Sequence, residues 1–341
     1  MRVVTFSTLS LAVLCACART EKSAPPAETA TAPVEVNRAQ LAAFAPLPTV
    51  MPSEKNPITP AKLDLGRRLF NETLLSGNHS ISCNSCHELT TFGVDNQRFS
   101  KGDKGQLGGR NAPSVYNAAA HIAQFWDGRA PTVEEQAKGP VLNPAEMAMP
   151  NPKEVIKHLR ADPTYLVMFQ AAFPSEKDPV TYDNVGMAIG AFERGLVTPA
   201  RWDKYLEGDE SALTNEEKIG LNAFIKTGCV ACHNGALMGG NAYQKVGVVQ
   251  PWPDQADKGR VNVTKNAADE MVFKVASLRN IEKTGPYFHD GAVNDLSDAV
   301  HQMGKYQLGR ELTPEELKAI VAYLKALTGT IPAEYVAPPA R

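Results

Sequence analysis

The 341-residue chain sets 35 Lys and Arg against 37 Asp and Glu, a formal charge of −2. No basic surplus is available to neutralise phosphates, so the composition excludes nucleic acid as an expected partner. With an N-terminal leader and a linker set aside, about 295 residues remain, enough for two domains of ordinary size.

Met1 to Ala18 combines a short basic start at Arg2 with the apolar run VVTFSTLSLAVLCACA. The run is too short to span a bilayer comfortably and sits where a signal peptide does. No later segment is apolar enough to cross a membrane, so the chain reads as exported. Within the run, LCAC (Leu14 to Cys17) resembles a bacterial lipobox and makes Cys17 a candidate lipidated residue and membrane anchor; ordinary cleavage a few residues on is the alternative. Residues 19–50, an Ala, Pro, Thr and Glu mixture from Glu21 to Ala45, bury nothing and read as a flexible linker.

The first predicted helix, PAKLDLGRRLF, has Thr59 as cap and Pro60 in its first turn, and runs into ISCNSCHELT. NPKEVIKHLRAD, PTYLVMFQAAF and TYDNVGMAIGAFERGLV follow as helices, with caps at Asn151 and Thr181. The opening plan then repeats. NEEKIGLNAFI, with a Thr214 and Glu217 capping box, runs into TGCVACHNG. Both helices carry glycine and phenylalanine four apart, Gly66 with Phe70 and Gly220 with Phe224, on one helical face. The last helix, in LTPEELKAIVAYLKALTG, has Thr313 as cap and an apolar stripe through Leu317, Ile320, Val321, Leu324 and Leu327. No run of alternating strands is evident. The expected fold is mostly α, two domains with long irregular loops, residues 51–200 and 201–337, parting near Thr198 to Asp209.

Cys83, Cys86 and His87, and again Cys229, Cys232 and His233, stand in a C-x-x-C-H spacing. That spacing reads as c-type haem attachment, two thiols bonded to the vinyl groups and the adjacent histidine on the iron. Zinc uses the same residue types, and a redox pair or disulfides would use the thiols. Those readings leave the histidine directly after the second cysteine without a required role. Two haem c domains, each cytochrome c-like, are therefore expected. For the second haem, Met238, Met271, His289, His301 and Met303 are the downstream candidates for the sixth ligand. A protein ligand there makes a relay, and an open position lets substrate reach the metal.

From about Ser53 to Ala337 the chain resembles the bacterial dihaem cytochrome c peroxidases, through LLSGNHSISCNSCHEL, GGRNAPSVYNAA, IAQFWDGRA, EEQAKGPVLNPAEM, GCVACHNG, SLRNIEKTGPYFHDGAV and MGKYQLG in order. The resemblance implies a periplasmic enzyme that reduces hydrogen peroxide to water, with electrons from a small cytochrome c or a copper protein. It selects Met303 as the second haem's sixth ligand, Glu146 as acid/base, Gln136 as the amide that orients peroxide, and Trp126 between the haem edges. It also implies a calcium ion at Asn111, Thr284 and Pro286, and a homodimer. In most of the family the resting first haem carries a histidine seven residues before the arginine of RNAP. Here that position is Asp103, in a glycine-rich loop expected to be flexible enough to leave the carboxylate in solvent. Either the first iron is open or water-bound at rest, or His79, His121 or a methionine substitutes; the remaining alternative is that the Asp103 carboxylate binds the iron or the incoming water.

Two rivals differ in class. A non-enzymatic dihaem carrier would need both sixth positions closed by strong ligands, which Asp103 argues against. The related enzymes that build a tryptophylquinone in a partner protein use a tyrosine where this chain has Met303.

Overall fold

The computed structural model describes residues 33–336 together with positions 1, 3–5 and 7. Cys17 lies outside the described residues. From Val34 to Arg341 the chain forms one compact unit.

The principal helices begin where their capping residues place them. α1 (Pro60–Phe70) starts at Thr59, whose hydroxyl accepts from the Lys62 N–H. Then come α2 (Val133–Leu142), α3 (Pro152–Ala161, capped by Asn151), α4 (Pro163–Ala172) and α5 (Tyr182–Glu193, capped by Thr181). In the second half, α6 (Asn215–Thr227) opens on the reciprocal Thr214 and Glu217 box and closes on Gly228, left-handed at φ 98°. α7 (Leu296–Gln302) leads through a π-helical turn, Met303–Gln307, to α8 (Pro314–Lys325), which opens on the Thr313 and Glu316 box.

The repeated glycine has a packing cause. α1 lies against α5, and a Cβ on Gly66 would overlap the Ala188 carbonyl oxygen and crowd Phe192. α6 lies against α8 in the same way, with Gly220 over the Ala319 carbonyl and Tyr323. Four residues on, Phe70 meets Phe192 at 5.4 Å between ring centroids and Phe224 meets Tyr323 at 5.5 Å. Each half thus closes the same helix crossing at backbone contact.

Two large hydrophobic cores result among the described residues, beside two smaller clusters around Met51 and Trp252. Leu65, Leu69, Val141, Val155, Phe169, Ile189 and Phe192 belong to the first, and Trp202, Tyr205, Leu221, Phe224, Ile320, Tyr323 and Leu324 to the second. The chain ends cross over. Leu41 and Phe44 pack into the second core, while Ile331, Tyr335 and Val336 lie against the first. The expected linker over 19–50 is therefore corrected at its C-terminal end. A 3₁₀ turn at Arg38–Ala43, capped by Asn37, buries Leu41, because Phe44 finds the Trp202 ring edge-on at 5.3 Å.

Where the cores meet, the fully buried Thr198 hydroxyl accepts from the Asn117 and Asn280 side chains, each at 2.8 Å. Each half also holds a buried ion pair, Arg194 with Glu134 at 2.7 Å and Arg279 with Asp203 at 2.8 Å. The sequence offered no sign of the two-stranded antiparallel ribbon β1 (Tyr243–Lys245) and β2 (Val272–Lys274), which pairs Tyr243 with Lys274. Among the described residues no helix is long and apolar enough to cross a membrane.

Candidate haem centres and active site

The left-handed turn at Gly228 delivers the chain into Cys229, Cys232 and His233, which share a cavity of about 270 Å³ with Met303. The two thiols are half-buried, and burial lifts both in pKa. His233 Nδ1 lies 3.2 Å from the Met238 carbonyl, an arrangement that fixes this nitrogen as the donor and leaves Nε2 free to bind a metal. Two thiols, a free imidazole nitrogen and a thioether on one apolar cavity fit a c-type haem. Of the five sixth-ligand candidates, Met303 and His289 line this cavity. Met238 is fully buried, with its sulfur accepting from the Tyr323 hydroxyl at 3.5 Å, and Met271 packs with Trp252 and Phe273. His289 stacks on Phe273 at 4.1 Å, and His301 faces Glu311 at 3.9 Å. Met303 opens the π-helical turn, a local widening that re-aims one side chain and is frequent at functional sites.

At the first motif a single helical turn, Cys83–Cys86, is boxed by Ser82 and Ser85. Burial pushes the Cys83 thiol up to about 12, with the Glu193 carboxylate adding to it. Burial lowers His87, against the opposing effect of the backbone at Gly93 and Pro113. A half-buried imidazole directly after two thiols again fits a haem ligand.

The candidate acid/base stands close by. Glu146 is half-buried in the turn after α2, and its charge acts on the Cys86 thiol. Burial raises the Glu146 carboxyl, against the opposing pull of Arg129 and the Asn143 amide. Its own carbonyl accepts from the Asp103 N–H at 2.8 Å, so this turn is tied to the 100–109 loop. Gln136, half-buried on α2, makes no side-chain hydrogen bond among the described residues and is free to meet a ligand.

Asp103 corrects an expectation. The glycine-rich loop does not leave its carboxylate in solvent: the residue is 9% exposed. The Asn78 N–H donates to Oδ2 at 2.8 Å and the Ser80 hydroxyl to Oδ1 at 2.7 Å. Burial alone would raise this carboxyl, but these hydrogen bonds prevail and lower it. Gly102 has no room for a Cβ against the Ala145 and Glu146 carbonyls, so that glycine serves close packing rather than mobility. Of the candidate substitute ligands, His79 is exposed and pairs with His158 at 3.3 Å, and His121 lines the second cavity. Met147 and Met149 are packed into the first core.

Trp126 lines the second cavity, donates Nε1–H to the Asn111 carbonyl at 2.9 Å and meets His289 edge-on at 6.4 Å. Asn111 spends its amide N–H on the Gln97 carbonyl at 2.9 Å, so its side-chain oxygen is left as an acceptor. Thr284 and Pro286 line the same cavity. An amide oxygen with nearby backbone carbonyls suits a hard cation such as calcium. Sequence reasoning missed the polar frame around Trp126, in which Arg110 bridges Asp127 at 2.7 Å and Asp257 at 2.6 Å. It also missed Lys274 on the cavity wall, and it considered His121 only for the first iron, whereas His121 lines the cavity of the second motif. No motif announces them, since each is one residue in an unremarked stretch.

A family model described as di-haem cytochrome c peroxidase matches residues 60–211, and one described as cytochrome c matches residues 218–328. The chain is 46% identical to the cytochrome c551 peroxidase of Pseudomonas aeruginosa, over 85% of this chain and 86% of that one. It is 48% identical to the cytochrome c551 peroxidase of Nitrosomonas europaea, over 81% of this chain and 83% of that one. Among solved structures, a MauG-like protein associated with microbial copper homeostasis superposes with a TM-score of 0.78 at 29% identity, over 86% of this chain and 97% of that one.

Proposed function

Because the chain belongs to the di-haem cytochrome c peroxidases, enzymes that reduce hydrogen peroxide and carry two c-type haems, we propose how its own residues divide that work. The haems supply the iron and the electrons that reduce peroxide. Residues 51–200 form the peroxidatic domain, with one haem on Cys83, Cys86 and His87. Residues 201–337 form the electron-transfer domain, with the other on Cys229, Cys232, His233 and Met303.

Glu146 moves the proton. A general acid/base works best with its pKa drawn toward the working pH, and burial draws this carboxyl upward. Gln136, with its amide uncommitted, orients the substrate. Trp126 is held between the two centres by the Asn111 carbonyl on one side and the Lys274 N–H on the other, at 2.9 and 2.8 Å. Asn111, Thr284 and Pro286 hold calcium, which stiffens the same strut. A methionine thioether favours the ferrous state, so Met303 suits the second centre to accept electrons one at a time from a small cytochrome c or copper protein. The leader directs the enzyme to the periplasm, with Cys17 as a lipid anchor, and the working form is a dimer.

The observation that supports the assignment of the active centre is the placement of Glu146, half-buried in a turn whose carbonyl accepts from the Asp103 N–H at 2.8 Å, with the Asp103 carboxylate in turn bonded to Ser80, three residues before Cys83. The test is peroxide turnover with a reduced cytochrome c in wild type and Glu146→Gln. The variant keeps the shape, so both haem spectra should persist while turnover falls roughly a hundredfold. Turnover near the wild-type rate would move the proton transfer to another group.

A further inference from the structure

Lys274 is a buried cation with an unusual set of partners. It is 7% exposed, and its ammonium donates to the Ala123 carbonyl at 2.8 Å and to His121 Nδ1 at 2.9 Å. Among the described residues no carboxylate lies within ion-pair distance of it. The nearby carboxylate, Asp127, is already held by Arg110 and Arg129. Arg279, another cation on the same cavity, is neutralised by Asp203, and Lys245 is exposed. Two of the three ammonium protons are thus spent on neutral acceptors, and one is left over.

His121 adds a second unspent donor. Accepting from Lys274 at Nδ1 places its proton on Nε2, and Nε2 is buried with no hydrogen-bond partner. The imidazole lies flat against Gly240, where any side chain would collide with the ring. Gly240 is itself pinned, donating to the Val275 carbonyl and accepting from the Ile122 N–H at 2.8 Å each. The pair is therefore positioned rigidly on the wall of the cavity that also holds His233 and Met303. Leaving a buried donor or cation unmet is costly, so such a pair implies an anionic acceptor that completes it.

We infer that Lys274 and His121 form a carboxylate clamp that takes a propionate of the haem attached at Cys229 and Cys232, on the side facing Trp126. The inference rests on the reading of that cavity as the second haem site. A haem brings two carboxylates into this pocket, and they must meet cations or water. Burial now lowers the Lys274 ammonium to about 7, and a bound carboxylate would restore its charge. The Lys274 N–H donates to the Trp126 carbonyl at 2.8 Å, so one backbone hydrogen bond ties the clamp's strand to the residue that carries the indole. The fixed positive charge beside the second haem favours its ferrous form over the ferric.

The test uses the matured two-haem protein. Peptide mass spectrometry first establishes haem on Cys229 and Cys232; a second motif without haem would overturn the reading beneath the inference. Spectroelectrochemical titration then follows each haem separately in wild type, Lys274→Met, Lys274→Arg and His121→Phe. In Lys274→Met the ferrous-to-ferric ratio of the second haem at a fixed potential should fall roughly tenfold, the order expected for one unit charge removed from a low-dielectric site near the iron. Lys274→Arg should largely retain the wild-type ratio, His121→Phe should show a smaller fall, and the first haem should not move. An unchanged second haem in the loaded Lys274→Met protein, or an equal shift of both haems, would overturn the clamp. If Lys274→Met does not acquire haem, His121→Phe decides alone: a lower ratio supports the clamp and an unchanged one overturns it.

Discussion

The Ser80 hydroxyl donates to the Asp103 carboxylate at 2.7 Å, joining the loop that leads into the first haem motif to the loop that contacts Glu146. The other carboxylate oxygen accepts from the Asn78 N–H. We read a side chain committed in this way as bracing the 100–109 loop rather than capping iron. The fully oxidised enzyme should therefore show a high-spin first haem and a low-spin second haem, and should react with peroxide without prior reduction. Electron paramagnetic resonance checks this directly; two low-spin signals with no reaction until one electron is added would defeat it. Asp103→Ala should cost about 0.5–1.5 kcal/mol in urea titration, the ordinary net worth of a hydrogen bond, because the donors on Asn78 and Ser80 are exposed and water can replace the lost acceptor.

Met303→His should lower the potential of the second haem and leave the first unchanged, since the thioether that favours ferrous iron is lost. An unaltered second potential would instead point to His289, which shares the cavity.

Calcium removal should act through Trp126. Asn111 accepts the indole N–H on its carbonyl, and in the proposed site its side-chain oxygen would bind the cation, so losing the ion would free the residue that positions the indole. Chelation should slow turnover and added calcium should restore it. Asn111→Ala should be slow with or without calcium, and full chelator sensitivity in that variant would place the ion elsewhere.

The buried Arg194 and Glu134 pair predicts an acid-side loss of stability. Burial would raise the Glu134 carboxyl, but hydrogen bonds from Arg194 and Asn56 overcome this and lower it from 4.5 to about 2. A folded-state pKa below the unfolded one adds stability that is complete above about pH 4.5 and is lost as pH falls toward 2. Denaturant midpoints measured across that interval should decline in wild type. Arg194→Met should cost about 3–5 kcal/mol near neutrality by stranding the carboxylate, and should abolish this contribution to the acid slope. A slope identical in both proteins would assign the acid sensitivity to other carboxylates.

The sequence by itself determined the two haem motifs, the helices leading into them and their caps, because these depend on spacing within one turn or on contacts three residues apart. The paired Gly66 and Gly220 were legible as a repeat, but their cause is the close approach of Ala188 and Ala319, more than a hundred and nearly a hundred residues downstream. Tertiary structure alone decided the rest. It carried the expected linker into the second core through Leu41 and Phe44, and it turned a glycine-rich loop into a packed one that ties Asp103 to Ser80. It also set Lys274 against His121 across 153 residues of chain. Burial and the partners of a charged group depend on which distant segments fold onto it, and local residue patterns carry no record of that.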